Sequence, residues 1–119
     1  MREIIFGNRG RLGASMICSG WDPYEGYQIY AVNQTGYQKA GNYMAGGSGS
    51  VYVKGFMDAN YNENMSKAEI TEFLKQCISL ACFRDGSSGG CLRFVYITKD
   101  GIERTFTQYS DMTQISTRA

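Results

Sequence analysis

Ser66–Ile102, SKAEITEFLKQCISLACFRDGSSGGCLRFVYITKDGI, decides the fold class, because it reads from a helix through a glycine turn into a strand. Ser66 followed three residues later by Glu69 is a capping box: the serine oxygen accepts from the third helical amide, and the glutamate reaches back to the serine N–H. Ile70, Phe73, Leu74, Cys77, Ile78 and Ala81 recur at intervals of three and four, which predicts an amphipathic helix ending near Arg84-Asp85. Gly86-Ser87-Ser88-Gly89-Gly90 then turns the chain. Cys91 to Thr98 reads as a buried strand, Lys99-Asp100-Gly101 as a hairpin turn, and Ile102 to Thr107 as the returning strand.

On the N-terminal side of this stretch, Val53, Phe56, Met57 and Asn60-Tyr61 keep helical spacing and predict a second helix, although Gly55 and the β-branched valines weaken its propensity. Gly46-Gly47-Ser48-Gly49-Ser50 precedes it. Apolar residues flank that block closely, so a tight turn is expected rather than a linker. Further back, Leu12 to Ser19 and Tyr27 to Val32 read as strands joined across Trp21-Asp22-Pro23-Tyr24-Glu25-Gly26, with the second covered on both faces. A weaker strand is expected over 37–45, and residues 3–12 favour no single state. The order is strand, strand, weak strand, helix, helix, strand, strand, an α+β layering with antiparallel pairs rather than a wound βαβ sheet.

Composition narrows the chemistry. The 119 residues carry 12 lysines and arginines against 11 aspartates and glutamates, a net charge of +1, so no field for nucleic acid is expected. No apolar run approaches the roughly 20 residues that span a bilayer, and the N-terminus has no continuous leader-like apolar segment, so neither a membrane anchor nor a secretory signal is expected. Histidine is absent, which removes Ser-His and Cys-His nucleophile pairs and imidazole metal sites. The four cysteines, at 18, 77, 82 and 91, form no C-x-x-C pair. They are expected as reduced, small core residues, and no cofactor or metal is expected.

The two glycine-serine blocks stand at junctions between strands and helices. They are open to two readings, a shared polar site built from Ser48, Asp85 and Ser88 or two ordinary glycine turns. Neither contains a phosphate-binding G-x-x-x-x-G-K-[ST].

Gly20-Trp21-Asp22 with Gly26, then Gly46–Ser50, then Tyr61-Asn62-Glu63-Asn64-Met65, then Arg84–Gly90, resemble the proteasome beta subunits in content, order and spacing. The resemblance runs from about Arg11 to Phe106. Asp85–Gly90 with Leu92-Arg93 and Gly101-Ile102-Glu103-Arg104 is most similar to the caspase-like catalytic type, which cleaves after acidic residues. The resemblance implies the N-terminal nucleophile hydrolase fold, a four-layer αββα sandwich, of which residues 1–119 would be a single partial domain, the C-terminal half.

It also implies a component of the 20S core particle, a threonine endopeptidase assembly of ubiquitin-dependent proteolysis in cytoplasm and nucleus. Other alpha and beta subunits are the implied partners and unfolded polypeptides the substrates, with no nucleic acid and no membrane. The implied roles are residue by residue. Ser48 and Ser88 offer hydroxyl hydrogen bonds, and Asp85 holds the charge of a network around the amine of an N-terminal threonine nucleophile. That threonine and the family's catalytic lysine belong to an N-terminal half that these residues do not match, so no peptidase activity is expected of this chain by itself. Two alternatives remain: a non-catalytic protein-interaction module or truncated product, and a small hydrolase with Ser48 or Ser88 as nucleophile.

Overall fold

The computed structural model describes residues 1–8 and 10–108; the single domain expected over 1–119 extends beyond them. In chain order the elements are α1 (Arg2–Gly7), β1 (Met16–Asp22), β2 (Gly26–Val32), β3 (Gln38–Ala40), α2 (Ser50–Asn60), α3 (Lys67–Arg84), β4 (Cys91–Thr98) and β5 (Gly101–Gln108). They form a three-stranded sheet ordered β1-β2-β3 and a two-stranded sheet β4-β5. The α+β class read from the sequence is therefore correct. The described residues divide into two compact units, one of Met1–Gly46 with Ile97–Ile102, the other of Gly47–Tyr96 with residues 103–108.

In the first unit β1 and β2 pair antiparallel, from Met16 opposite Val32 to Asp22 opposite Gly26. The turn between them is organised by one carboxylate. Asp22 Oδ1 accepts from the N–H groups of Tyr24 (2.8 Å) and Glu25 (2.9 Å), while Oδ2 accepts from Gln28 Nε2 at 2.6 Å. Such an Asx turn needs the short side chain that aspartate supplies. Those donors hold the Asp22 carboxyl below its ordinary value. Asn33 organises the next turn in the same way, accepting from Thr35 and Tyr37. The weak strand is only Gln38–Ala40, and it ends where the Gly41 N–H reaches Ile29 O. Residues 3–12, which favoured no state, begin with α1, whose Ile5 is 1% exposed.

In the second unit, α2 and α3 pack through Phe56 and Phe73, whose rings stack with centroids 5.9 Å apart, and Tyr61 tilts against Phe73 at 6.3 Å. Val53, Met57, Phe73, Cys77 and Ala81 are buried. These are largely the residues that helical spacing selected. Leu74 and Cys82, on another face of α3, pack on Leu92 and Phe94 of β4. The capping box is present as read: Glu69 N–H donates to Ser66 Oγ, and Ser66 N–H donates to Glu69 Oε2. A second tie joins the first turn of α3 to the hairpin, where Lys67 Nζ contacts Glu103 Oε2 at 2.6 Å and lies over the Tyr96 ring. Tyr96 in turn shares a 2.9 Å hydrogen bond with Thr71.

Three expectations are corrected. Cys91 is exposed, because side chains alternate across a strand and Leu92 and Phe94 take the buried face of β4. Cys18 is likewise exposed on β1, so only Cys77 of the four cysteines is a core residue, with Cys82 half-buried. The strand over 27–32 is not covered on both faces: Tyr27 beside the turn is 65% exposed, and only Val32 is buried.

Candidate functional site

The site lies within the second unit, where the loop before α2 meets the turn after α3. Asp85 is the C-cap of α3, with extended backbone and its N–H donating to Ala81 O at 2.8 Å. Leaving the helix at this residue aims the carboxylate back across the turn that follows. Ser87 N–H donates to Asp85 Oδ1 at 3.1 Å, and Ser88 N–H donates to the Asp85 carbonyl at 3.0 Å. The Ser88 hydroxyl donates to Asp85 Oδ2 at 2.7 Å. From the other loop, the Ser48 hydroxyl donates to the same Oδ2 at 2.6 Å.

The three residues singled out from the sequence, Ser48, Asp85 and Ser88, thus meet on one carboxylate oxygen, although Ser48 is 37 positions from Asp85. Ser87, between two of them, contributes its backbone N–H to the network. The hydroxyls of Ser48 and Ser88 and the Ser87 N–H, in that order, hold the Asp85 carboxyl below its ordinary value and outweigh the opposing effect of partial burial. Its negative charge raises the thiol of Cys82, where burial is the larger cause.

This geometry decides what the groups can do. With Asp85 ionised, each serine hydrogen is committed to Oδ2, so the two hydroxyl oxygens present lone pairs and serve as acceptors. A negative carboxylate flanked by acceptors suits an ammonium or N–H donor. It does not suit serine attack, because a carboxylate with a lowered pKa is a poor general base. The small serine hydrolase is therefore disfavoured.

The two glycines beside Ser48 are required for different reasons. Gly47 has φ +87, a left-handed conformation, and open space around it. Gly49 caps α2 with φ −73 and ψ −10, which any residue adopts. A Cβ there would stand 2.9 Å from Ala81 Cβ and 2.9 Å from Ser88 Oγ. Reading the sequence missed this contact: a Gly-Ser block signals a turn, and Gly49 shows no letter-level difference from Gly47.

Among the described residues no group of three or more cysteines, aspartates or glutamates could hold a metal ion, and no helix is long and apolar enough to cross a membrane.

The family model described as Proteasome subunit matches residues 1–97. Among curated proteins, the chain is 43% identical over 104 residues to a probable proteasome subunit beta type-1 of Schizosaccharomyces pombe, covering 87% of this chain and 46% of that protein. It is 39% identical over 101 residues to proteasome subunit beta type-6 of Dictyostelium discoideum, covering 85% and 47%. To proteasome subunit beta type-1 of Saccharomyces cerevisiae it is 38% identical over 103 residues, covering 87% and 48%. The chain spans about half the length of these relatives.

Proposed function

The chain belongs to the proteasome subunit family, and from that membership we propose that its residues do the work of the C-terminal half of a beta-type subunit in the 20S core particle. In this reading α2, α3 and the two sheets contribute to the family's four-layer αββα sandwich. Other alpha and beta subunits are its partners, unfolded polypeptides are the substrates, and the setting is ubiquitin-dependent proteolysis in cytoplasm and nucleus. The reacting threonine and the lysine beside it come from the part of the relatives' length that these residues do not cover. The caspase-like preference is the subtype that the residues around Asp85–Gly90 favour.

The observation that supports this reading most is the convergence of both serine hydroxyls on Asp85 Oδ2. A protonated N-terminal amine needs acceptors and a nearby negative charge, and the cluster offers both without offering a nucleophile. The carboxylate balances the ammonium, while Ser48 and Ser88 take its N–H groups and fix where the amine sits. The amine must be unprotonated to act: it takes the threonine hydroxyl proton as the oxygen attacks, and the cluster stabilises the ammonium so formed until that proton passes to the leaving amine.

The test joins residues 11–106 to the N-terminal half of the fission-yeast beta type-1 relative and assembles the product into core particles. Asp85→Asn is expected to lower peptide hydrolysis per processed subunit by roughly 100-fold, and Ser87→Ala, which keeps its backbone N–H, to change it little. Equal turnover of the Asp85→Asn and unmodified particles would leave Asp85 as a turn residue only.

A further inference from the structure

We propose that Gly49 and Ala81 are positioning residues for Asp85, and that the close approach between them sets the spacing at which the Ser48 loop and the Ser88 turn share its carboxylate. The inference builds on the function proposed above, since it concerns the same cluster. Its geometric content needs no hydrolysis.

Gly49 is buried, and its backbone angles are ordinary, so conformation alone does not require glycine there. Space does. The position of a Cβ on Gly49 is 2.9 Å from Ala81 Cβ, 2.9 Å from Ser88 Oγ and 3.5 Å from Asp85 Oδ2. Real Cβ atoms do not approach carbon to 2.9 Å, so something must move. Ala81 Cβ is fixed to the backbone of α3 and can yield only with the helix. Ser88 Oγ can rotate away, but only by leaving Asp85 Oδ2, its hydrogen-bond acceptor at 2.7 Å. The third alternative is retreat of the 46–50 loop, which draws Ser48 off the same oxygen. Every route out of the clash falls on the cluster.

Ala81 is the matching half of the contact. It is 8% exposed, one turn before Asp85 on α3, and its carbonyl accepts the Asp85 N–H. A larger side chain at 81 would press on the loop from the opposite side. The small residues at 49 and 81 therefore act as a spacer, and side-chain volume there reports directly on the carboxylate. The charged and titratable groups beside it on its own helix are Cys82 and Arg84, and both are retained in the variants below.

The experiment follows the Asp85 carboxyl by carbon-13 NMR across an acid titration of the 119-residue chain. The variants are Gly49→Ala, Ser88→Ala, Ala81→Gly and Gly49→Ala with Ala81→Gly. In the unmodified chain the midpoint lies below 3.8. Ser88→Ala, which removes one donor without crowding, raises it. Gly49→Ala is expected to raise it at least as far, and adding Ala81→Gly to bring it part of the way back, because the new methyl can move into the space vacated at 81. A folded Gly49→Ala chain with an unchanged Asp85 midpoint overturns the proposal. If Gly49→Ala alone does not fold, the double variant decides: a folded chain whose midpoint lies no higher than that of Ser88→Ala supports the spacer, and one that titrates above Ser88→Ala, or that stays unfolded where Ala81→Gly alone folds, overturns it. Failure of the proposed function would appear instead as full hydrolysis by the Asp85→Asn particle, which this titration does not touch.

Discussion

Replacing Phe73 by alanine tests whether the α2–α3 contact carries the second unit. Phe73 is 4% exposed and meets both Phe56 and Tyr61. Burying an aromatic side chain removes about 150–250 Å² from water, worth about 4–6 kcal/mol at ~25 cal/mol per Å² as an upper bound. Measured core Phe→Ala changes cost about 3–5 kcal/mol, so about 4 kcal/mol is expected here. With a urea m-value of about 1.5 kcal/mol per M, the unfolding midpoint should fall by about 2.5 M, or the chain should begin partly unfolded. Phe73→Leu, which keeps most of the apolar volume, should cost about 1–2 kcal/mol. The assay is urea unfolding followed by circular dichroism at the helix band. A shift below about 0.5 M at unchanged slope would refute the argument, since the ring pairs would then hold nothing. The site should be spared wherever Phe73→Leu stays folded. At about 1.5 Å per residue the ring lies about 18 Å along α3 from Asp85, so the Asp85 titration should not move.

Burial pushes the Cys77 thiol up from 9.0 to about 11, so near neutral pH it holds about 100-fold less thiolate than an ordinary thiol. Iodoacetamide labelling resolved by peptide mass spectrometry should therefore modify exposed Cys18 and Cys91 first and Cys77 last, and equal rates in the native chain would contradict the burial. Asp22, Glu69 and Asp85 all have folded values below their ordinary 3.8, 4.5 and 3.8. Their contribution is complete above those ordinary values and is lost as pH falls through the lower folded ones. The urea midpoint should thus hold steady from about pH 6 to pH 5 and decline below about pH 4, and Ser48→Ala should flatten part of that decline.

The elements legible in the sequence were those whose signals are local. Ser66 and Glu69 determine each other across one turn, and Phe73, Cys77 and Ala81 repeat along one face, so α3 could be read from letters alone. Ser48, Asp85 and Ser88 were singled out by their place in two glycine-serine blocks and by the resemblance, not by any periodicity. Exposure was less legible. Cys18, Tyr27 and Cys91 sit in apolar runs, but which face of a hairpin is covered depends on what packs against it, and that is a property of distant residues. The spacer role of Gly49 was illegible for the same reason, since Ala81 lies 32 positions along the chain.

The two hydroxyls that meet on Asp85 differ in how far the chain must travel to deliver them. Ser88 is three residues away, so its bond forms as soon as the turn after α3 does. Ser48 closes a loop of 37 positions that contains both helices, and such closure is entropically favourable only once α2 and α3 have docked. The carboxylate therefore acquires its second hydroxyl late, when the helical layer is already in place. A half-folded chain holds an aspartate with one local partner, and the three-residue cluster exists only once the surrounding architecture is complete.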